Sequence, residues 1–496
     1  MRPLAKLDQR YVWHPFTQMR DWLKREPIVI VSGKGARLWD AQGREYLDAN
    51  SSIWTNLHGH AHPKINGAIR RQLGKIAHSS ALGLANEPAS LLAEKLVEAA
   101  NPPVHKARML RQPAGWKPAL RKVFFSDDGS TAMEVALKLA YEFARRTSRR
   151  EKPKFLSLEG AYHGDTVGAV SLGHIDLFHQ AYAGLLFKTD KVMAPYCYRC
   201  LFNRAKPERA DARDCRKCNW ECVGKLEQKF AAQKKRSNPY AAFIFEPLMQ
   251  GAAGMIPQPT GWLSRAAEIA RAHGALLIAD EVMTGFGRTG VGSGPTHATH
   301  ATPLTHLTPA SLFACHHQGV QPDFMALAKG LTGGYLPMAA TLTTQAVFDA
   351  FLGEYEEFKT FFHGHSFTGN QLGAAAGLAS LELLQTTGSL RARQRLEQTL
   401  HNELQTLWRW PRVGDIRRVG LVAGIELVRD WRTREPFDLR ERAGIRVCEA
   451  LAKRGVLTRP IGNVVALLPP YCTTPAEVRR MVNALGEAIA GLAKSL

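Results

Sequence analysis

The chain has 496 residues, 45% of them hydrophobic, enough apolar mass to bury two or three domain cores. Its formal net charge of +21 is concentrated in residues 105–122 and 202–218, not striped along one recognition helix. Basicity therefore argues for a solvated Arg-rich surface and against nucleic-acid binding as the main function. The opening MRPLAKLDQRYVWHPF lacks a secretory apolar stretch, and runs such as ALLIA after Gly274 are too short to cross a bilayer. The expectation is a cytoplasmic protein with small-molecule substrates and no membrane partner.

In chain order, WHPFTQM (Trp13 to Met19) and SSIWTNLHGHAHP (Ser51 to Pro63) come first, followed by a basic, Pro-containing stretch from Lys106 to Lys122 that reads as an insertion. KVFFSDDGS then leads into TAMEVALKLAYEFARR, where Met133, Ala136, Leu137 and Ala140 recur at helical spacing. KFLSLEG precedes the turn AYHGDT. A second insertion, Tyr196 to Cys222, crowds five of the eight cysteines. YAAFIFEP, GALLIADEV and DFMALAKG each read as a buried strand ending at a polar residue. Between the last two lies VGSGPTHATHATPLTHLTPAS (Val291 to Ser311), a Thr/Pro/His-rich surface excursion with no apolar periodicity. Strands alternating with helical stretches predict an α/β fold with a mostly parallel sheet. In such sheets ligands gather at the carboxyl ends of the strands, where Asp128, Glu246, Asp280 and Lys329 stand. After about Thr386 the pattern turns to amphipathic helix, two strands (VAGIEL, VVALLP) and a final helix. The predicted division is 1–75 and 386–496 forming a small domain around a large domain at 76–385.

Several residues can carry chemistry. Lys329, after an apolar run, would be costly to bury as a free ammonium, and a carbonyl cofactor joined to it as a Schiff base would remove that cost. A strand-end lysine reaching solvent is the plainer alternative. Asp280 ends an apolar strand and needs a cationic partner, which a protonated pyridine nitrogen would be. Gly129 and Ser130 open a long helix, a favourable place for a phosphate and equally an ordinary cap. Tyr162 and His163 offer aromatic faces, Gly364, Ser366 and Thr368 a second anion-binding turn, and Arg459 a fork for a carboxylate. Eight cysteines in a reducing compartment argue for thiols or metal ligands. Cys197-x-x-Cys200 with Cys215-x-x-Cys218 and Cys222 has the spacing of a structural zinc site. Cys197, Cys200, Cys218 and Cys222 are the favoured set, with Cys215 spare.

The strings DEVMTGFGRTG, LAKGLTGG, SDDGSTAMEVALKLA and GAYHGDT resemble the class III aminotransferases, pyridoxal 5'-phosphate (PLP) enzymes of fold type I. WHPFTQM, SSIWTNLHGHAHP and the Arg459-Pro460 to Pro469-Pro470 segment resemble the branch that makes 7,8-diaminononanoate from 8-amino-7-oxononanoate in biotin synthesis. The resemblance runs from about Arg10 to the last helix. It implies that Lys329 holds the cofactor, that Asp280 pairs with its ring nitrogen, and that Gly129 and Ser130 bind its phosphate beside Tyr162. It also implies a homodimer in which His365 and Ser366 of the neighbouring copy complete the phosphate cup. Phe16, Ile53, Trp54, Tyr162, Gly364 and Arg459 would then contact substrate. Ile53-Trp54, Gly364-His365-Ser366 and Phe16 stand where adenosylmethionine-using relatives commonly show Trp-Trp, Gly-Pro-Thr and Tyr. The form seen here also resembles relatives that take their amino group from lysine, so the implied donor, adenosylmethionine, has lysine as its alternative. Another class III ω-aminotransferase, acting on ornithine or 4-aminobutyrate, is the rival within the family.

Overall fold

A computed structural model describes residues 3–101, 119–148, 152–290 and 312–492. Most of the basic stretch (through residue 118) and the whole of 291–311 fall outside these residues. The stretch read as an insertion up to Lys122 ends earlier than expected, because Leu120–Ser126 is already a strand with Leu120 fully buried.

The large sheet has seven strands, here β1 (Leu120–Ser126), β2 (Lys154–Leu158), β3 (Asp190–Val192), β4 (Tyr240–Phe245), β5 (Leu276–Asp280), β6 (Phe324–Leu327) and β7 (Ala339–Thr344), in the order β1-β7-β6-β5-β4-β2-β3. The strands from β3 to β6 run parallel. Every residue of β4 is buried, as expected where helices cover both faces. The sheet is not wholly parallel. β7 runs antiparallel to both β6 and β1, and neither it nor the short β3 was legible as a strand in the sequence.

Helix α1 (Gly129–Ser148) follows β1 and buries Ala132, Met133, Ala136, Leu137 and Ala140 against the sheet. Asp128 caps it, its carboxylate accepting the Thr131 N–H at 2.9 Å. Elsewhere, the antiparallel strands Ile30–Lys34, Arg37–Asp40 and Glu45–Asp48 are joined by Val456–Leu457, which pairs parallel to Glu45–Asp48. The two ends of the chain thus share one sheet. An antiparallel sheet built on Val413–Val419, Val422–Asp430 and Val464–Leu467 carries the two strands expected near the C-terminus, and the last helix, Pro475–Leu492, follows. Among the described residues no helix is long and apolar enough to cross a membrane.

Candidate active site

The carboxyl ends of β4, β5 and β6 bring Glu246, Asp280 and Lys329 close enough for the two acids to act on the charge of the lysine. Asp280 is the last residue of β5 and only 6% exposed. Its Oδ1 accepts the Val282 N–H at 3.1 Å, and its Oδ2 lies 2.8 Å from His163 Nδ1, which donates to it. The other ring nitrogen of His163 is buried with no partner among the described residues, so the tautomer is fixed by the acid. Glu246, just beyond β4, accepts the Gly251 N–H at 2.8 Å and the Tyr162 N–H at 3.3 Å. Burial, with a push from Asp280, raises its pKa to about 7, His163 opposing the rise.

Lys329 follows β6 at the start of a short 3-10 turn, in the left-handed region with φ 45°. Its Nζ lies 4.7 Å from the centre of the Trp54 ring. Desolvation lowers its pKa, while Asp280 and Glu246 pull the other way and Arg288 adds to the lowering. An amine that gives up its proton more readily than usual is what a carbonyl cofactor requires of its attachment point.

Trp54 reaches the lysine because Ser51, Ser52, Ile53 and Trp54 all have positive φ, a tight left-handed turn. Asp48 holds that turn, accepting from the Ser52 N–H and Oγ at 3.0 and 2.9 Å, and Trp54 Nε1 donates to Asn50 at 2.9 Å. The indole packs with Met249, Met255 and Met283 as one wall, whereas Ile53 is 45% exposed at the rim. On another side Tyr162 stands edge-on to Phe16 and Phe178, with centroids 6.5 and 6.3 Å apart. Its hydroxyl donates to Asp165 at 2.6 Å, and burial together with that acid raises its pKa well above the usual phenol range. Arg459 is half-buried, its pKa lowered by desolvation and countered by Cys448 and Tyr162. No carboxylate among the described residues pairs with it.

The phosphate-binding reading of Gly129 and Ser130 rests on close packing. A Cβ on Gly129 would lie 2.8 Å from Val282 Cγ1, and one on Gly164 (φ +129°) would lie 2.3 Å from Ser130 Oγ. The loop 163–165 therefore lies directly on the first turn of α1, where Ser130 Oγ accepts the Asp165 N–H at 3.1 Å. A glycine-lined cradle at the start of a twenty-residue helix, a buried acid at a strand end and a lysine of lowered pKa together fit PLP. Gly364, His365 and Ser366 are exposed. Within the chain, His365 pairs with Asp127 at 2.8 Å and the Ser366 carbonyl accepts from His78 at 2.9 Å.

The sequence reading offered His163 as an aromatic face. It is instead the partner of Asp280, across 117 positions of chain, and only the generic sign of a polar ring next to a glycine turn was available beforehand. Asp165 and Phe178 were missed as well, having no periodic or motif signal. Four of the five clustered cysteines, Cys197, Cys200, Cys218 and Cys222, line a common cavity, with Cys215 not among its lining residues. The structure does not show a formed zinc centre there. Among the described residues no group of three or more His, Cys, Asp or Glu is arranged to hold a metal ion.

The family model for class-III aminotransferases matches residues 19–303 and 309–489. The chain is 45% identical over 486 residues to the adenosylmethionine-8-amino-7-oxononanoate aminotransferase of Geobacter sulfurreducens, covering 98% of this chain and 97% of that protein. A crystal structure of the enzyme of the same name from Methanocaldococcus jannaschii superposes with a TM-score of 0.83 at 38% identity, covering 98% of each chain. An amine transaminase from an uncultivated Pseudomonas species, solved in its PLP-bound form, gives 0.81 at 32% identity over 97% of this chain and 98% of that one. With the lysine, the acid and the glycine cradle arranged as described, the chain belongs to the class-III aminotransferases.

Proposed function

We propose that the protein transfers the amino group of S-adenosylmethionine to 8-amino-7-oxononanoate, forming 7,8-diaminononanoate in biotin biosynthesis. Full-length relatives at 42–45% identity that bear the name of this activity support the reading. The observation that carries it is Arg459, a half-buried guanidinium with no carboxylate partner among the described residues, near enough to Tyr162 for the two to influence each other's ionisation. That is a seat for a substrate with a terminal carboxylate.

The residues divide the work. PLP, when bound, supplies the electron sink that makes an amine-bearing carbon acidic. Gly129 and Ser130 at the head of α1 would hold its phosphate, with His365 and Ser366 of a neighbouring copy completing the cup. Asp280, oriented by His163 and the Val282 N–H, would face its ring nitrogen. Lys329 is the attachment point. Its ε-amino group, when free, would accept a proton from the donor carbon and return one to the acceptor. Its lowered basicity suits both transfers. Trp54 and the methionines behind it keep water from that nitrogen, Phe16, Ile53 and Tyr162 form the remaining walls, and Gly364 contacts substrate at the mouth. Donor and acceptor occupy the site in turn.

The working unit in this reading is a cytoplasmic homodimer with a small domain at 1–75 and 386–496 around a large domain at 76–385. Support for an interface comes from Leu82, Phe362 and Phe367, which are 91%, 72% and 62% exposed beside the 364–366 loop. The test is to load purified protein with PLP and add S-adenosylmethionine or lysine separately. S-Adenosylmethionine should convert the lysine-bound absorbance to that of the amine form, and 8-amino-7-oxononanoate should restore it. Conversion by lysine alone would transfer the donor assignment to lysine. A K329A variant that turned over normally would end the reading altogether.

A further inference from the structure

The segment between β3 and the helix Glu221–Lys235 has little to hold it. Apart from one three-residue 3-10 helix, Cys197–Arg199, residues 196–220 carry no helix or strand. Their own apolar cluster is small, Cys197, Tyr198 and Ala212 with Tyr196 beside it, and only Trp220 at the segment's end packs against a large core. Yet the segment fastens one region of the fold to another. Tyr196 and Arg199 bond Glu426 of the antiparallel C-terminal sheet, each at 2.7 Å, Arg213 donates to the Arg418 carbonyl at 2.8 Å, and Arg209 donates to the Val413 carbonyl at 2.6 Å.

Inside it, two chain passages bring four thiols to line one small cavity. Cys197 and Cys200 come from the first passage, Cys218 and Cys222 from the second, and Asn203, Arg216, Trp220 and Glu221 supply the other polar and aromatic lining. Cys215 turns to the Asp211 carbonyl, 3.6 Å away. The four thiols that line the cavity are the set the spacing favoured. Cys222 lies in the first turn of the fifteen-residue helix Glu221–Lys235, at the positive end of its dipole, which favours a thiolate. Arg216 lines the same cavity and adds positive charge.

We infer that Cys197, Cys200, Cys218 and Cys222 form a structural tetrathiolate site for a soft divalent ion of the zinc type, separate from the PLP cavity. Binding draws the four sulfurs inward to about 2.3 Å from the ion. Four S–H bonds break, four sulfur–metal bonds form, four protons leave to solvent, and no electron moves. Arg216 and Arg213 offset the net negative charge of the filled site. The ion then serves as the core that the segment lacks and stiffens its attachment to the C-terminal sheet.

The test uses the full-length, PLP-loaded protein, reduced, stripped with a chelator and titrated with Co²⁺. One ion per chain should bind, with sulfur-to-cobalt charge transfer and the intense visible bands of a tetrahedral thiolate, and Zn²⁺ should bleach both. The C197S/C200S variant should lose the signal, and C215S should keep it. Retained cofactor absorbance in each variant shows that the large domain is folded. If the double variant does not hold PLP, C200S alone, at a half-buried position, takes its place. Absence of a thiolate spectrum in the parent protein would overturn the site, as would its loss in C215S or its survival in the cysteine-pair variant. None of these readouts depends on the amino donor or acceptor, so the site and the proposed activity fail separately.

Discussion

Replacing Asp280 by Asn keeps the size of the side chain and removes its charge. The carboxylate now accepts from His163 and from the Val282 N–H while only 6% exposed. In the proposed function it would also match a positive ring nitrogen in a site largely shut off from water. Breaking a buried charge pair by neutralising one member costs about 3–5 kcal/mol, which at about 1.4 kcal/mol per tenfold is roughly two to four powers of ten in rate. A second cost falls on His163. The replacement amide presents its NH₂ group to His163 Nδ1, the ring must shift its proton to Nε2, and that atom is buried without an acceptor. An unsatisfied buried donor adds about 1–3 kcal/mol against folding. The assay is the single-turnover donor half-reaction, followed by cofactor absorbance, alongside thermal unfolding of the unloaded protein. The donor step should slow by at least about a hundredfold, as that charge loss requires, and the unloaded protein should melt earlier. A D280N rate within about threefold of the parent, less than 1 kcal/mol, would refute the assignment of Asp280 to the ring nitrogen.

R459M should raise KM for 8-amino-7-oxononanoate about 10- to 100-fold, the worth of a charged hydrogen bond to a carboxylate, with the lysine-bound absorbance unchanged; an unaltered KM would remove Arg459 from the substrate site. G164A should weaken PLP retention and lower Tm by several degrees, since the added Cβ would sit 2.3 Å from Ser130 Oγ on a backbone at φ +129°; spectral titration with PLP measures the first and thermal unfolding the second. Glu281 provides a pH signature. It is fully buried and accepts from Thr284 Oγ1 and the Ala314 and Cys315 N–H groups, and burial raises its pKa from 4.5 to about 7. The folded state therefore holds this proton where the unfolded state has lost it, so the group's contribution to stability is full below about pH 4.5 and is lost as pH rises to about 7. The loss is roughly 3 kcal/mol. E281Q should flatten this part of the stability profile in denaturant titrations at several pH values; an unchanged slope would show that another group carries it.

The chain by itself disclosed whatever is local. β4, β5 and β6 are uninterrupted apolar runs with a polar residue at or just beyond the end, and such runs can be buried only in a covered sheet, so Glu246, Asp280 and Lys329 were placed by the rule that parallel strands open onto ligands. The α1 helix and the glycine before Ser130 were legible for the same reason. β7 was not, because AATLTT lacks the long apolar run of its neighbours and its antiparallel direction is a matter of chain path. The pairing of His163 with Asp280 and the left-handed turn that carries Trp54 to Lys329 were decided by folding alone. Each depends on segments far apart in sequence meeting at one point, and side-chain identity and spacing record which groups a chain owns, not which of them tertiary packing brings within hydrogen-bond reach.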